Sequence, residues 1–182
     1  MQQRGAYYVL TGDRSTGKTL VCTDLAAEGR ARGLDVAGII TAPTGPELHA
    51  PRQVIDIRSG SARLFGVPSE TGDDALTPQW SIDSDVFVWA TEVLQAAVPC
   101  DLLIVDEIGP LELTGGRGWV SALEILRQGE FGAALAVCRP GLLTQLEASL
   151  GMPPAGVYHA DPEENEQLPD LILAQMFGEA SD

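Results

Sequence analysis

The chain has 182 residues, 45% of them hydrophobic and 20% charged, with a formal net charge of −15. That length accommodates one domain, residues 1–182, with a full core that needs neither disulfides nor structural metal. An acidic chain without a basic cluster disfavours duplex nucleic acid and anionic membrane as partners, and no apolar run approaches the ~20 residues of a membrane-spanning helix.

Ala6–Thr11 is apolar and β-prone, so a strand is expected at once, with no room for a signal-peptide core before it; a cytoplasmic location follows. Next comes Gly12-Asp13-Arg14-Ser15-Thr16-Gly17-Lys18-Thr19, which fits G-x-x-x-x-G-K-[ST]. A helix from Gly17 to Arg32 is expected after it, with Val21, Cys22, Leu25 and Ala26 on one side and Gly33 closing it. Strand, glycine-bearing loop and helix form the setting in which backbone N–H groups and a helix N-terminus hold phosphate. In that reading Gly12–Thr19 bind nucleotide, Lys18 reaches the β and γ phosphates, and the Thr19 hydroxyl ligates Mg²⁺. Lys18 is the only lysine among 11 basic residues. A compact ammonium on a flexible stem suits this loop, and a planar guanidinium does not replace it. Asp13 beside a triphosphate is expected to turn outward.

Asp35–Thr41 is a mostly apolar strand of the kind buried on both faces. A Pro-rich turn, Ala42–Pro51, leads to short strands at Gln53–Ile57 and Ala62–Val67, paired as a hairpin around Ser59-Gly60-Ser61. Thr71–Leu76 is expected to be a polar loop and Gln79–Ile82 another short strand. Ser84 is the expected cap of a helix running to Val98, with Val86, Trp89, Ala90, Val93 and Ala97 at helical spacing.

Asp101–Val105 is an apolar strand that ends in Asp106-Glu107. In a parallel sheet, ligands bind beyond the carboxyl ends of strands. Asp106 therefore faces the metal held by Thr19, and Glu107 is placed to orient and deprotonate an attacking water. Gly109–Gly118 reads as a loop, Trp119–Arg127 as a helix and Phe131–Cys138 as a buried strand. Arg139 follows that strand on the ligand edge and is the first choice for stabilising transition-state charge, ahead of Arg14, Arg52, Arg58 and Arg63. Leu142–Leu150, a short strand from Val157 to His159 and the helix Asn165–Phe177 complete the chain; Leu168, Leu171, Ile172 and Met176 share a face of the last helix. His159 and Asn165 flank the place where a nucleobase could lie. Cys22, Cys100 and Cys138 have no paired spacing and read as small buried apolar residues in a reducing compartment.

The run Val105-Asp106-Glu107-Ile108-Gly109-Pro110-Leu111-Glu112-Leu113 resembles the signature of the small nucleoside-triphosphatases related to the thermophilic enzyme and to cancer-related nucleoside triphosphatase. Gly33–Thr41 and Asn165-Glu166-Gln167-Leu168-Pro169 agree in order with that family. The resemblance implies an α/β P-loop NTPase: a RecA-like, mostly parallel sheet with helices on both faces and a small β insertion after the second strand. It also implies slow Mg²⁺-dependent hydrolysis of ATP, GTP and other nucleoside triphosphates, with loop roles at Gly12–Thr19, Asp106 on the metal and Glu107 as base. The chain departs from the family at Ala50–Asp56, which lacks a glycine- and phenylalanine-bearing segment, at Glu166, where an arginine is usual, and at Ser15-Thr16. A small-molecule or nucleotide kinase, and an NTP-dependent regulatory or assembly protein with a protein partner, are the alternatives.

Overall fold

A computed structural model describes residues 5–47, 49–70 and 79–178. The elements, in chain order, are β1 (Ala6–Thr11), α1 (Lys18–Ala31), β2 (Val36–Pro43), β3 (Arg52–Asp56), β4 (Ala62–Pro68), β5 (Trp80–Ile82), α2 (Asp85–Ala97) and β6 (Cys100–Asp106). There follow α3 (Pro110–Leu113), α4 (Val120–Gln128), β7 (Phe131–Val137), α5 (Leu143–Leu150), β8 (Val157–His159) and α6 (Leu168–Phe177). One sheet carries all of the described strands, in the order β5-β4-β3-β2-β6-β7-β1-β8. The part from β2 to β8 is parallel, and β3, β4 and β5 extend it by antiparallel pairing.

The parallel strands read as continuous apolar runs because both faces are covered. Tyr7, Val9, Leu103 and Val105 point into one core with Val86, Leu94, Leu126 and Leu146 from α2, α4 and α5. Tyr8, Leu10, Leu102 and Ile104 point into the other with Val21, Leu25, Ile172 and Leu173 from α1 and α6. The β2–β6 seam requires a glycine: Gly38 has φ +115, and a Cβ there would overlap the Ile104 carbonyl.

Several expectations change in detail. The midchain hairpin forms as β3 and β4, and it extends the main sheet by pairing β3 with β2. Ser84 makes no side-chain cap; Asp83 Oδ1 accepts from the Asp85 N–H at 3.0 Å instead, one residue earlier. The segment from Gly109 to Gly118 is not all loop, since α3 occupies Pro110–Leu113. On α6 Leu171 is 55% exposed, and Leu173 joins Leu168 and Ile172 on the buried side, because the buried stripe runs through Pro169, Ile172 and Leu173 at helical spacing and leaves Leu171 outside it. The expected loop Thr71–Leu76 lies outside the described residues. Among the described residues, no helix is long and apolar enough to cross a membrane.

Candidate active site

β1 and β6 are not neighbours, since β7 lies between them, yet both end on the same sheet edge. That edge gathers the two motifs. After β1 the chain wraps into the 12–17 loop, in which Gly17 has φ 89 and a Cβ would fall 2.5 Å from Asn165 Nδ2. Lys18 is buried and its ammonium donates to two carbonyls of its own loop, Gly12 O at 2.8 Å and Asp13 O at 2.5 Å. Those bonds hold the cation inside the loop, and the exposed Asp13 side chain turns outward, as its charge requires. Asn165 reaches the phosphate loop itself. It donates from Nδ2 to the Thr16 carbonyl at 2.7 Å, so it braces the loop from α6's leading turn.

Across the edge, Thr19 Oγ1 donates to Asp106 Oδ2 at 2.8 Å. Asp106 is 2% exposed, and burial pushes its carboxyl up to about 7 against the opposing Thr19 hydrogen bond. Thr41, at the end of β2, donates to the Asp106 backbone carbonyl at 2.8 Å and fixes the strand end from the other side. Glu107 is half-buried and pairs with Arg139, which stands just after β7; the closest N···O distance is 3.0 Å. The Ile108 N–H donates to the Val137 carbonyl at 2.7 Å, so the two strand ends that carry this pair are stitched together.

The segment beyond Glu107 has its own anchor. Glu112 is 6% exposed, accepts from the Gly109 N–H at 2.8 Å through Oε2, and accepts from the Trp119 N–H at 3.0 Å through Oε1. Its carboxyl is pushed up to about 7 by burial, while these backbone donors act in the opposite direction. Trp119 in turn donates from Nε1 to the Glu107 carbonyl at 3.2 Å. Glu112 is thus committed to holding the loop. The sequence carries a signal for this: a glutamate three residues after Gly109, at the start of an apolar helical turn, has the spacing of a capping box.

The remaining arginines separate by contact. Arg58 binds Asp35 at 2.7 Å and the Ala96 carbonyl at 2.7 Å, closing the end of α2. Arg63 lies over the Trp89 ring at 4.9 Å. Neither reaches the motifs. Arg14, Arg52 and Arg139 line a cavity of about 320 Å³ together with Thr19, Asp106 and Glu107, and Phe65, Trp80, Ile82 and Trp119 give it an apolar wall. Phe65, Trp80 and Ile82 come from the antiparallel extension and Trp119 from just before α4, and the wall was not anticipated from the sequence.

A protein family described as NTPase matches residues 7–132, a stretch that holds both the phosphate-loop motif and Asp106-Glu107. The chain belongs to this NTPase family. Over 118 residues it is 30% identical to nucleoside-triphosphatase THEP1 of Methanosarcina acetivorans, covering 63% of this chain and 66% of that protein, slightly less than two thirds of the relative's length. Its fold is similar to the crystal structure of THEP1 from the hyperthermophile Aquifex aeolicus (TM-score 0.65, 16% identity, 94% of this chain and 99% of that one). It is also similar to the solution structure of a human cancer-related nucleoside triphosphatase (TM-score 0.68, 18% identity, 95% and 97% covered). The α/β P-loop fold expected from the sequence is therefore shown. The family match ends inside β7, so Arg139 lies beyond the matched stretch.

Proposed function

We propose that this NTPase-family member hydrolyses the terminal anhydride of nucleoside triphosphates, releasing the diphosphate and phosphate, with Mg²⁺ as cofactor. The observation that carries the reading is the 2.8 Å contact between Thr19 Oγ1 and Asp106 Oδ2, which brings the end of the phosphate loop onto a buried carboxylate. This oxygen pair fits Mg²⁺, which takes one or two protein oxygens and fills its shell with water and phosphate. Thr19 and Asp106 would hold the ion; when bound, it neutralises charge on the phosphates.

The chain's own groups supply the rest. Backbone N–H groups of 12–19 and the N-terminus of α1 bind phosphate oxygens. Lys18 adds a charge-assisted contact from inside the loop. Glu107 accepts the proton of the attacking water, and Arg139, paired with it at 3.0 Å, orients that carboxylate and adds positive charge beside the transferred group. The fully buried free thiols Cys22 and Cys138, with buried Cys100, support a reducing, cytoplasmic setting. The test is phosphate release from a panel of ATP, GTP, CTP and UTP, with and without Mg²⁺. Release that requires the metal is expected. A purified, folded protein that binds no triphosphate and releases no phosphate would refute the reading.

A further inference from the structure

The cavity at Glu107 also takes in the Thr19–Asp106 end assigned above to Mg²⁺ and the γ phosphate; at about 320 Å³ it lies within the range of small-molecule pockets and extends past that end to an aromatic side. Its walls differ in chemistry. On the side away from the phosphate loop stand Phe65 of β4, Trp80 and Ile82 of β5, and Trp119 before α4. The wall is packed in advance: the Phe65 ring is 5.0 Å from Trp119 at 49°, and Phe87 supports Trp119 from behind at 5.4 Å. Trp119 is also hydrogen-bonded to the Glu107 carbonyl at 3.2 Å, so the aromatic wall and the acidic residue keep a fixed relation. Arg52 of β3 lines the same cavity, close enough for its positive charge to act on Asp106.

We propose that this cavity is a second-substrate site, and that it takes a small aromatic alcohol carrying an anionic group as a phosphoryl acceptor. The inference rests on the hydrolase reading of the phosphate loop and Glu107 given above. The aromatic wall recognises a planar ring, and offset or edge contacts with Phe65 and Trp80 stabilise it without a demand on polarity. Arg52 recognises the anion through its planar fork. Glu107 recognises the hydroxyl, which takes the position a water would otherwise hold. Glu107 accepts the hydroxyl proton and returns it to solvent. The acceptor oxygen forms a bond to the γ phosphorus, and the bond from that phosphorus to the β–γ bridging oxygen breaks, leaving its electron pair on the diphosphate. The products are a phosphate monoester, nucleoside diphosphate and one proton. Water attack is then the reaction of the same site with its acceptor absent.

The site sits at the γ-phosphate end, because its walls include Thr19, Asp106 and Glu107. A nucleoside extends from the opposite end of the triphosphate. The cavity is thereby assigned to the acceptor and not to the base of the donor.

The experiment incubates the full-length protein with ATP or GTP, Mg²⁺ and one of three probes: 4-(hydroxymethyl)benzoate, benzyl alcohol, or 4-(hydroxymethyl)cyclohexanecarboxylate. Phosphorus NMR reads monoester and free phosphate together. Monoester is expected chiefly with 4-(hydroxymethyl)benzoate. Trp80→Ala is expected to reduce it about tenfold, the scale of a lost aromatic contact, with phosphate release to water unchanged. Trp80→Phe, which keeps a ring at this edge-strand position, should recover most of the transfer. Arg52→Gln should remove the preference for the benzoate over benzyl alcohol. Free phosphate without monoester from any probe overturns the acceptor site while leaving the hydrolase reading in place. Neither product from a folded protein sinks both. A tenfold rise in KM for the triphosphate in Trp80→Ala, with no change in transfer, would reassign the cavity to the nucleobase and overturn the proposal.

Discussion

The two loops that face each other across the sheet edge are built by opposite means. The phosphate loop, 12–19, is held by its own chain: Lys18 bonds to loop carbonyls five and six residues back, and Asn165 is a brace from elsewhere. The acidic loop, 107–119, has a buried carboxylate at its centre, and Glu112 ties Gly109 to Trp119 while Trp119 reaches back to Glu107. The first loop is largely a local structure with two outside contacts, Asn165 at the Thr16 carbonyl and Asp106 at the Thr19 hydroxyl. The second is a small network, and a network transmits the loss of any member to the rest.

The largest effect should come from the point where the acidic loop meets the chemistry. Glu107→Gln keeps the side chain's reach but cannot accept a proton, so hydrolysis should fall by about 10²–10⁴-fold with triphosphate binding retained. Single-turnover phosphate release at saturating nucleotide separates the two quantities. A variant that hydrolyses like the parent would remove Glu107 from the mechanism.

On the other side, Lys18→Ala takes the charge out of the phosphate loop. A charge-assisted contact of about 1.5–3 kcal/mol should be lost from triphosphate affinity, with the fold unchanged because the Thr16–Asp13, Thr19–Asp106 and Asn165–Thr16 hydrogen bonds still hold the loop. Nucleotide titration with a thermal melt beside it reads both. Equal affinity in the variant would mean that the loop does not bind phosphate.

Glu112 tests the network directly. Its carboxyl is raised from an ordinary 4.5 to about 7 by burial, so the folded state binds a proton more tightly than the unfolded chain. Its share of stability should therefore fall as pH rises from about 4.5 to about 7 and stay level above that. Glu112→Gln cannot titrate and should flatten this part of the stability profile. It also offers one acceptor oxygen where the loop has two N–H donors, at a cost of about 1–3 kcal/mol for the donor left unpaired. Denaturant unfolding at several pH values measures both effects; an unchanged slope with pH would show that Glu112 holds its proton no more tightly in the folded than in the unfolded chain.

The smallest effect is expected at the brace. Asn165→Ala removes one neutral hydrogen bond to the Thr16 carbonyl, and about 0.5–1.5 kcal/mol should be lost from stability. Nucleotide affinity should weaken less than in Lys18→Ala. If it weakened more, the phosphate loop would depend on tertiary support as much as the acidic loop does.

Much of this molecule is determined within short windows of sequence. The phosphate loop, the apolar strands β1, β6 and β7, and the amphipathic face of α1 follow from spacing and residue type, because each obeys a local rule: close backbone approach at glycines, burial on both faces of a parallel strand, a 3.6-residue period. The placement of Asp106 and Glu107 at a strand end follows too, and Arg139 on the ligand edge follows from the strand before it. Tertiary structure decided what touches what. Only folding could show that β7 lies between β1 and β6, that Arg139 pairs with Glu107, that Asn165 serves the phosphate loop, and that Glu112 is an anchor. Only folding could also place Phe65 and Trp80 opposite Glu107, since they come from strands added in antiparallel order at the far edge of the sheet. The physical reason is the same in each case. Propensity and period act within a few residues, whereas a hydrogen bond between residues such as Thr19 and Asp106 forms only after the packing of the sheet has brought two distant segments to one edge.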